Sequence, residues 1–163
     1  MTDFEQFNQR PIIVALAGSN GAGKTTFYHA HLSSVALRFI NANVIAKELD
    51  LDPYSAAELA TALRQMLVSR GESFIMETVF SDPVGEKVSF LEEAAKRGYQ
   101  IVLCFIGLER SDTSEERVAM RVTQGGHDVP SEKLEQRSPR TLQNLSRAID
   151  RLPNVLVFDN SDL

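Results

Sequence analysis

The sequence predicts an α/β fold, a parallel sheet with helices on both faces, and three observations predict it. Short apolar runs bounded by turn residues alternate with longer stretches whose apolar residues recur at helical intervals. A glycine-rich turn separates the first apolar run from the first helical stretch. The run Ile101–Ile106 is apolar at every position, as a strand covered on both faces is. A chain of 163 residues makes one domain, taken as residues 1–163.

Each element has its own warrant. Ile12–Ala17 follows Pro11 as the first strand and runs into the glycine turn, then a helix from about Gly23 to Leu32. Leu37–Ile40 is a shorter second strand ending at Asn41-Ala42-Asn43. Ser55 and Glu58 have capping-box spacing ahead of Leu59, Leu63, Met66 and Leu67, and Gly71 closes that helix after Arg70. Phe74–Met76 is a third strand that delivers Glu77 to its carboxyl end. Asp82-Pro83 reads as N-cap and first residue of a helix ending at Arg97-Gly98, and Ile101–Ile106 is the fourth strand. A helix near Ser114–Gln124, a break at Gly125–Pro130, two further helical stretches and the strand Val155–Phe158 complete the series.

Composition excludes several classes. Apolar residues at 43% and charged residues at 24% rule out a disordered or fibrous chain. With 17 basic against 22 acidic side chains the net charge is −5, which argues against nucleic-acid binding through bulk charge. No apolar run approaches the roughly 18 residues of a membrane span. The polar N-terminus, MTDFEQFNQR, reads as neither a signal nor a transit peptide, so a cytoplasmic protein is expected. The single cysteine, Cys104, lies inside an apolar run and is expected as a buried core residue.

The chemistry begins at Gly18-Ser19-Asn20-Gly21-Ala22-Gly23-Lys24-Thr25, followed by Thr26, which fits the phosphate-loop pattern G-x-x-x-x-G-K-[ST]. Glycines let the backbone curl so that successive N–H groups face phosphate oxygens, and the helix that follows adds its positive end. Lys24 reaches the β- and γ-phosphates, and the Thr25 hydroxyl can ligate Mg²⁺. A nucleoside triphosphate and Mg²⁺ are therefore the expected ligands of the loop. In an open parallel sheet the site lies outside the carboxyl ends of the strands. That rule groups Asn41, Asn43, Glu77 and Thr78 around the crevice of Lys24. Glu77 reads either as a solvated loop acid or as a contact to metal-bound water or substrate, and its place beside the loop strand favours the second.

Between Arg117 and Arg147 six basic residues stand against three acidic ones, in a chain whose total is negative. Arg117 and Arg121 are spaced i, i+4, and Arg137 and Arg140 i, i+3, on either side of the Gly125-Gly126 break that also holds His127. Transfer of a phosphoryl group needs positive charge closed over it, and residues 111–141 read as such a lid.

The strings AGSNGAGKTT, NANVIAKELD, ETVFS, RVTQGGHDVP and RSPRTLQNL resemble the zeta-toxin-like P-loop kinases, closest to their stand-alone bacterial branch. The likeness runs from about Ile12 to Asp159. It implies a nucleoside-kinase-like, five-stranded parallel sheet of order 2-3-1-4-5. It also implies ATP-dependent phosphorylation of a small-molecule hydroxyl, with UDP-N-acetylglucosamine as the family's acceptor and a small helical antitoxin as a partner. Lys24 and Thr25 match the family's loop lysine and hydroxyl, and Glu77 the acid of its E-x-T motif. Arg117 or Arg121, and Arg137 or Arg140, match its phosphate-contacting arginines; Asn41, Thr78 and His127 fall on the acceptor side. Two positions depart from the pattern. Asn43 stands where the family's N-x-D motif carries its general base, and Val79 stands where E-x-T carries its hydroxyl. An amide cannot take the acceptor's proton, so the competing expectation is a nucleotide-binding module with weak or no turnover.

Overall fold

A computed structural model of the chain describes residues 7–107 and 131–159. Five strands form one parallel sheet: β1 (Ile12–Ala17), β2 (Arg38–Ile40), β3 (Phe74–Thr78), β4 (Gln100–Gly107) and β5 (Val155–Asp159). Their spatial order is β2-β3-β1-β4-β5, the order the family resemblance implied. The helical segments are α1 (Lys24–Phe27), continued by a π-helical turn (Tyr28–Leu32), α2 (Ala42–Leu49), α3 (Pro53–Ser69), α4 (Glu86–Lys96) and α5 (Ser131–Arg151).

Strand β1 lies at the centre, and its period of two sends alternate side chains into two cores. Ile13, Ala15 and Ala17 pack with Leu67, Val88, Leu91 and Ala148 from the helices of one face. Ile12, Val14 and Leu16 pack with Leu32 and Cys104 on the other. Each large aliphatic side chain so buried contributes about 1.5–3 kcal/mol. Cys104 is fully buried, as expected, and burial pushes its thiol pKa up to about 12.

Several boundaries differ from the sequence expectation, each for a local reason. The helix expected over 23–32 is α-helical only to Phe27, after which the Ser33 amide donates to Tyr28 O at 2.9 Å and widens the turn. Helix α2 was not expected. It forms because Asn41 caps it, its Oδ1 accepting from Asn43 N at 2.8 Å. The cap of α3 is Asp52, with Pro53 in the first turn; Ser55, expected as the cap, instead donates to Asp52 from both its N–H and its hydroxyl. Helix α4 begins at Glu86, three residues after Pro83, with left-handed Gly85 before it, although the Asp82 carboxylate still accepts from Glu86 N. The two stretches expected after Pro130 are one 21-residue helix that carries Pro139 within it. The expected helix near Ser114–Gln124 and the 125–130 break lie outside the described residues. Among the described residues no helix is long and apolar enough to cross a membrane.

Candidate functional site

The glycine-rich loop leaves β1 at the middle of the sheet's carboxyl edge, where Ala17 pairs with Thr78 on one side and Phe105 on the other. Gly18 turns with φ +150°, and a Cβ added there would run into the carbonyl oxygen of Ile106 in β4. Only glycine satisfies both constraints. Gly21 and Gly23 are left-handed as well, at φ 82° and 101°. The loop closes with Ala22 N donating to Ser19 O at 3.1 Å, and α1 opens with Phe27 N donating to Gly23 O at 2.9 Å.

Lys24 is the buried cation of this loop, only 6% exposed. Its ammonium donates to Gly18 O at 2.6 Å and Ser19 O at 3.2 Å, charge-assisted bonds that curl the side chain back over the loop. Thr25 and Thr26 stand exposed on the first turn of α1. The sequence reading grouped these residues, and the geometry brings them together.

The neighbouring strand ends supply the second half. Ile40 pairs with Met76, so Asn41 and Glu77 leave β2 and β3 side by side, while Glu77 is level with Leu16, just before the loop. Asn41 is 5% exposed; its Nδ2 donates to Glu77 Oε2 at 2.8 Å while its Oδ1 caps α2. One amide thus orients the Glu77 carboxylate and starts a helix. Asn43 occupies the second position of α2 with its side chain exposed, so the amide touching Glu77 is that of Asn41. The Thr78 hydroxyl accepts from Phe80 N at 3.0 Å and shapes the turn after β3.

Of the arginines, Arg140 is exposed on α5 directly before Thr141. Arg117, Arg121, His127 and the side chain of Arg137 lie outside the described residues. Sequence reasoning missed Thr141 and Asn144, which tie α5 to the turn after β3. Their signal was the polar pair at i, i+3 in RTLQNL, in line with the apolar Ala148.

The Zeta toxin family model matches residues 53–163. An uncharacterized protein of Haemophilus influenzae is 25% identical over 125 residues, which are 74% of this chain and 87% of that protein. The solved AvrRxo1-ORF1:-ORF2 complex with ATP aligns with a TM-score of 0.76 at 19% identity. That alignment covers 96% of this chain and 56% of the other, so the chain spans a little over half of that relative. The PezAT chromosomal toxin-antitoxin system of Streptococcus pneumoniae aligns with a TM-score of 0.69 at 15% identity, over 93% of this chain and 69% of the other. At such identities the likeness to the solved structures is one of fold.

Proposed function

The chain belongs to the zeta toxin family, and on that premise we propose that it transfers the terminal phosphoryl group of ATP to a hydroxyl of a small molecule. The observation that carries this reading is the buried Lys24 ammonium, folded over a loop whose Gly18 admits no side chain. A cradle of main-chain N–H groups with one cation at its lip fits a polyphosphate tail and little else.

The parts divide the work. Amides of the Gly18–Thr25 loop and the Lys24 ammonium hold the β- and γ-phosphates, and the Thr25 hydroxyl would hold Mg²⁺. Among the described residues no three His, Cys, Asp or Glu side chains converge on a metal site. Magnesium in such sites takes most of its ligands from phosphates and water, so one hydroxyl fits it. When bound it neutralises charge on the phosphates. Glu77, steadied by Asn41, accepts a hydrogen bond from the acceptor hydroxyl or from metal-bound water. A bond forms between the acceptor oxygen and the γ-phosphorus, the γ-phosphorus to bridging-oxygen bond breaks with its electron pair leaving on ADP, and the hydroxyl proton passes to solvent water. Arg140 and Arg137, with Arg117 and Arg121, supply positive charge over the transfer. The family's acceptor, UDP-N-acetylglucosamine, is the first substrate to test, and the toxin-antitoxin and two-component complexes among the similar structures support a small partner protein.

A second reading, nucleotide binding without turnover, is favoured by one observation: Asn43 is an exposed amide at the motif position that carries the family's base. Coupled ADP release with ATP and UDP-N-acetylglucosamine, run on the wild-type chain and on Asn43→Asp, separates the two. Turnover by the wild type supports the kinase. Turnover gained only by Asn43→Asp, about 10²–10⁴-fold, identifies a kinase architecture lacking its base. Tight ATP binding without turnover in either chain overturns phosphotransfer to this acceptor and favours the module.

A further inference from the structure

Helix α5 grips the turn between β3 and α4 through one polar stripe. Thr141 Oγ1 donates to Val79 O at 3.2 Å. Asn144 is fully buried; its Nδ2 donates to Phe80 O at 2.9 Å and to Asp82 O at 2.8 Å. Its Oδ1 accepts from Arg147 Nη1 at 2.7 Å, so each polar atom of the amide is engaged. The Arg147 side chain in turn lies over Gly85, where an added Cβ would come within 3.0 Å of Arg147 Cδ.

What the stripe holds is unusual. Phe80, 1% exposed, has φ +65°, a left-handed conformation that bulky residues rarely adopt. Thr78 Oγ1 accepts from its N–H and Asn144 donates to its C=O, so the residue is fixed from both sides. Backbone of this kind persists only where its surroundings over-determine it, and such places cluster at functional sites. A stripe needed only for packing would use apolar residues, as the same helix does one turn later at Ala148. The turn follows directly on Glu77 and Thr78, and the helix carries Arg140 next to Thr141.

We propose that Asn144 is a positioning residue: by holding Phe80 left-handed it fixes both the end of β3 that bears Glu77 and the register of the helix that bears Arg140. It touches neither nucleotide nor acceptor. The inference rests on the phosphotransfer reading above, with Asn144 acting on the transfer step and not on ATP uptake by the glycine-rich loop.

Asn144→Asp keeps the shape of the side chain and removes both donors. With magnesium-ATP as the probe, its dissociation constant and KM are expected to stay within about twofold of wild type, while ADP release falls at least about tenfold at a pH near 8. The introduced carboxyl faces the Asp82 carboxylate, whose Oδ1 lies 3.4 Å from Asn144 Nδ2, and the Arg147 guanidinium, 2.7 Å from Asn144 Oδ1. As the pH is lowered the pair formed by this carboxyl and Asp82 takes up a proton, one donor is regained and the repulsion is relieved, so the deficit relative to wild type at the same pH shrinks. Leu67→Ala, a core substitution on α3 that leaves the polar stripe intact, is expected to lose less than about threefold of turnover despite its own loss of stability. Should Asn144→Asp not fold, Thr141→Val removes the lesser bond and is expected to lower turnover about threefold at unchanged KM. A loss no larger than that of Leu67→Ala, a deficit indifferent to pH, or a parallel loss of ATP affinity makes Asn144 a packing residue and overturns the proposal. If the wild-type chain itself takes up no magnesium-ATP, the functional reading fails and the positioning role with it. Titrating the wild type first tells the two failures apart.

Discussion

Gly18→Ala is the substitution that the loop geometry opposes most strongly. An L-residue held at φ +150° costs about 1–2 kcal/mol in backbone strain. The added methyl would also fall on the carbonyl oxygen of Ile106, which belongs to β4 and is pinned between β1 and β5. Overpacking against backbone that cannot retreat adds about 1–3 kcal/mol. Gly71→Ala is the internal reference, since Gly71 is also left-handed, at φ +68°, but nothing lies within 4 Å of its added Cβ. It should cost only the backbone strain. For a domain of this size each kcal/mol lowers Tm by about 2–4 °C, so Gly18→Ala should melt visibly below Gly71→Ala. The two differ more in binding. A loop that relieves the clash by lifting off β4 must be pushed back to receive phosphates, and every 1.4 kcal/mol so spent weakens binding about tenfold. Thermal unfolding and calorimetric titration with magnesium-ATP, run on both variants, make the comparison. Gly18→Ala is expected to bind at least about tenfold more weakly than Gly71→Ala. Equal melting and equal affinity in the two variants would refute the reasoning.

Two further substitutions probe neighbouring features. Asn41→Asp sets a second carboxyl where the amide now lies 2.8 Å from Glu77 Oε2. Two carboxylates this close share a proton, which raises a folded-state pKa, so the variant should lose stability relative to wild type as the pH rises from about 5 to 8. Urea unfolding at both ends of that range checks it, and a pH-independent difference would contradict it. For Cys104, burial raises the folded-state pKa to about 12, so the folded chain keeps a proton that the unfolded chain releases above its ordinary value near 9. The stability from the neutral thiol is therefore complete below pH 9 and declines above it by about 1.4 kcal/mol per pH unit. Wild type should lose about 2 kcal/mol more than Cys104→Ala between about pH 9 and 10.5 in urea unfolding, and equal losses would count against it.

Much of the fold was legible because its signals are local. Five short apolar runs and the loop glycines mark the strands and the turn directly, and Gly71 and Gly98 end their helices where left-handed residues are needed. Helix α2 escaped notice because its start depends on Asn41, whose value as a cap also involves Glu77, 36 residues away. Asp52 displaced Ser55 as the cap of α3 because Pro53, which lacks an N–H, suits the first turn and leaves the Ser55 N–H for the aspartate. Within the site, the loop could be read from its string of glycines with lysine and threonine. The turn at Phe80 could not, since an aromatic residue carries no sequence signal for a left-handed backbone and its support comes from Asn144, 64 residues on. The contrast between Asn41 and Asn43 was equally hidden: both are asparagines after β2, and only packing buries the first and exposes the second.

Isothermal titration with ATP in magnesium buffer, on the wild-type chain and on Lys24→Ala, tests most directly whether residues 18–25 hold a triphosphate. Saturable uptake by the wild type is expected, with affinity lowered by at least about tenfold when the ammonium is removed. No uptake by the wild type, or undiminished uptake by Lys24→Ala, would contradict it.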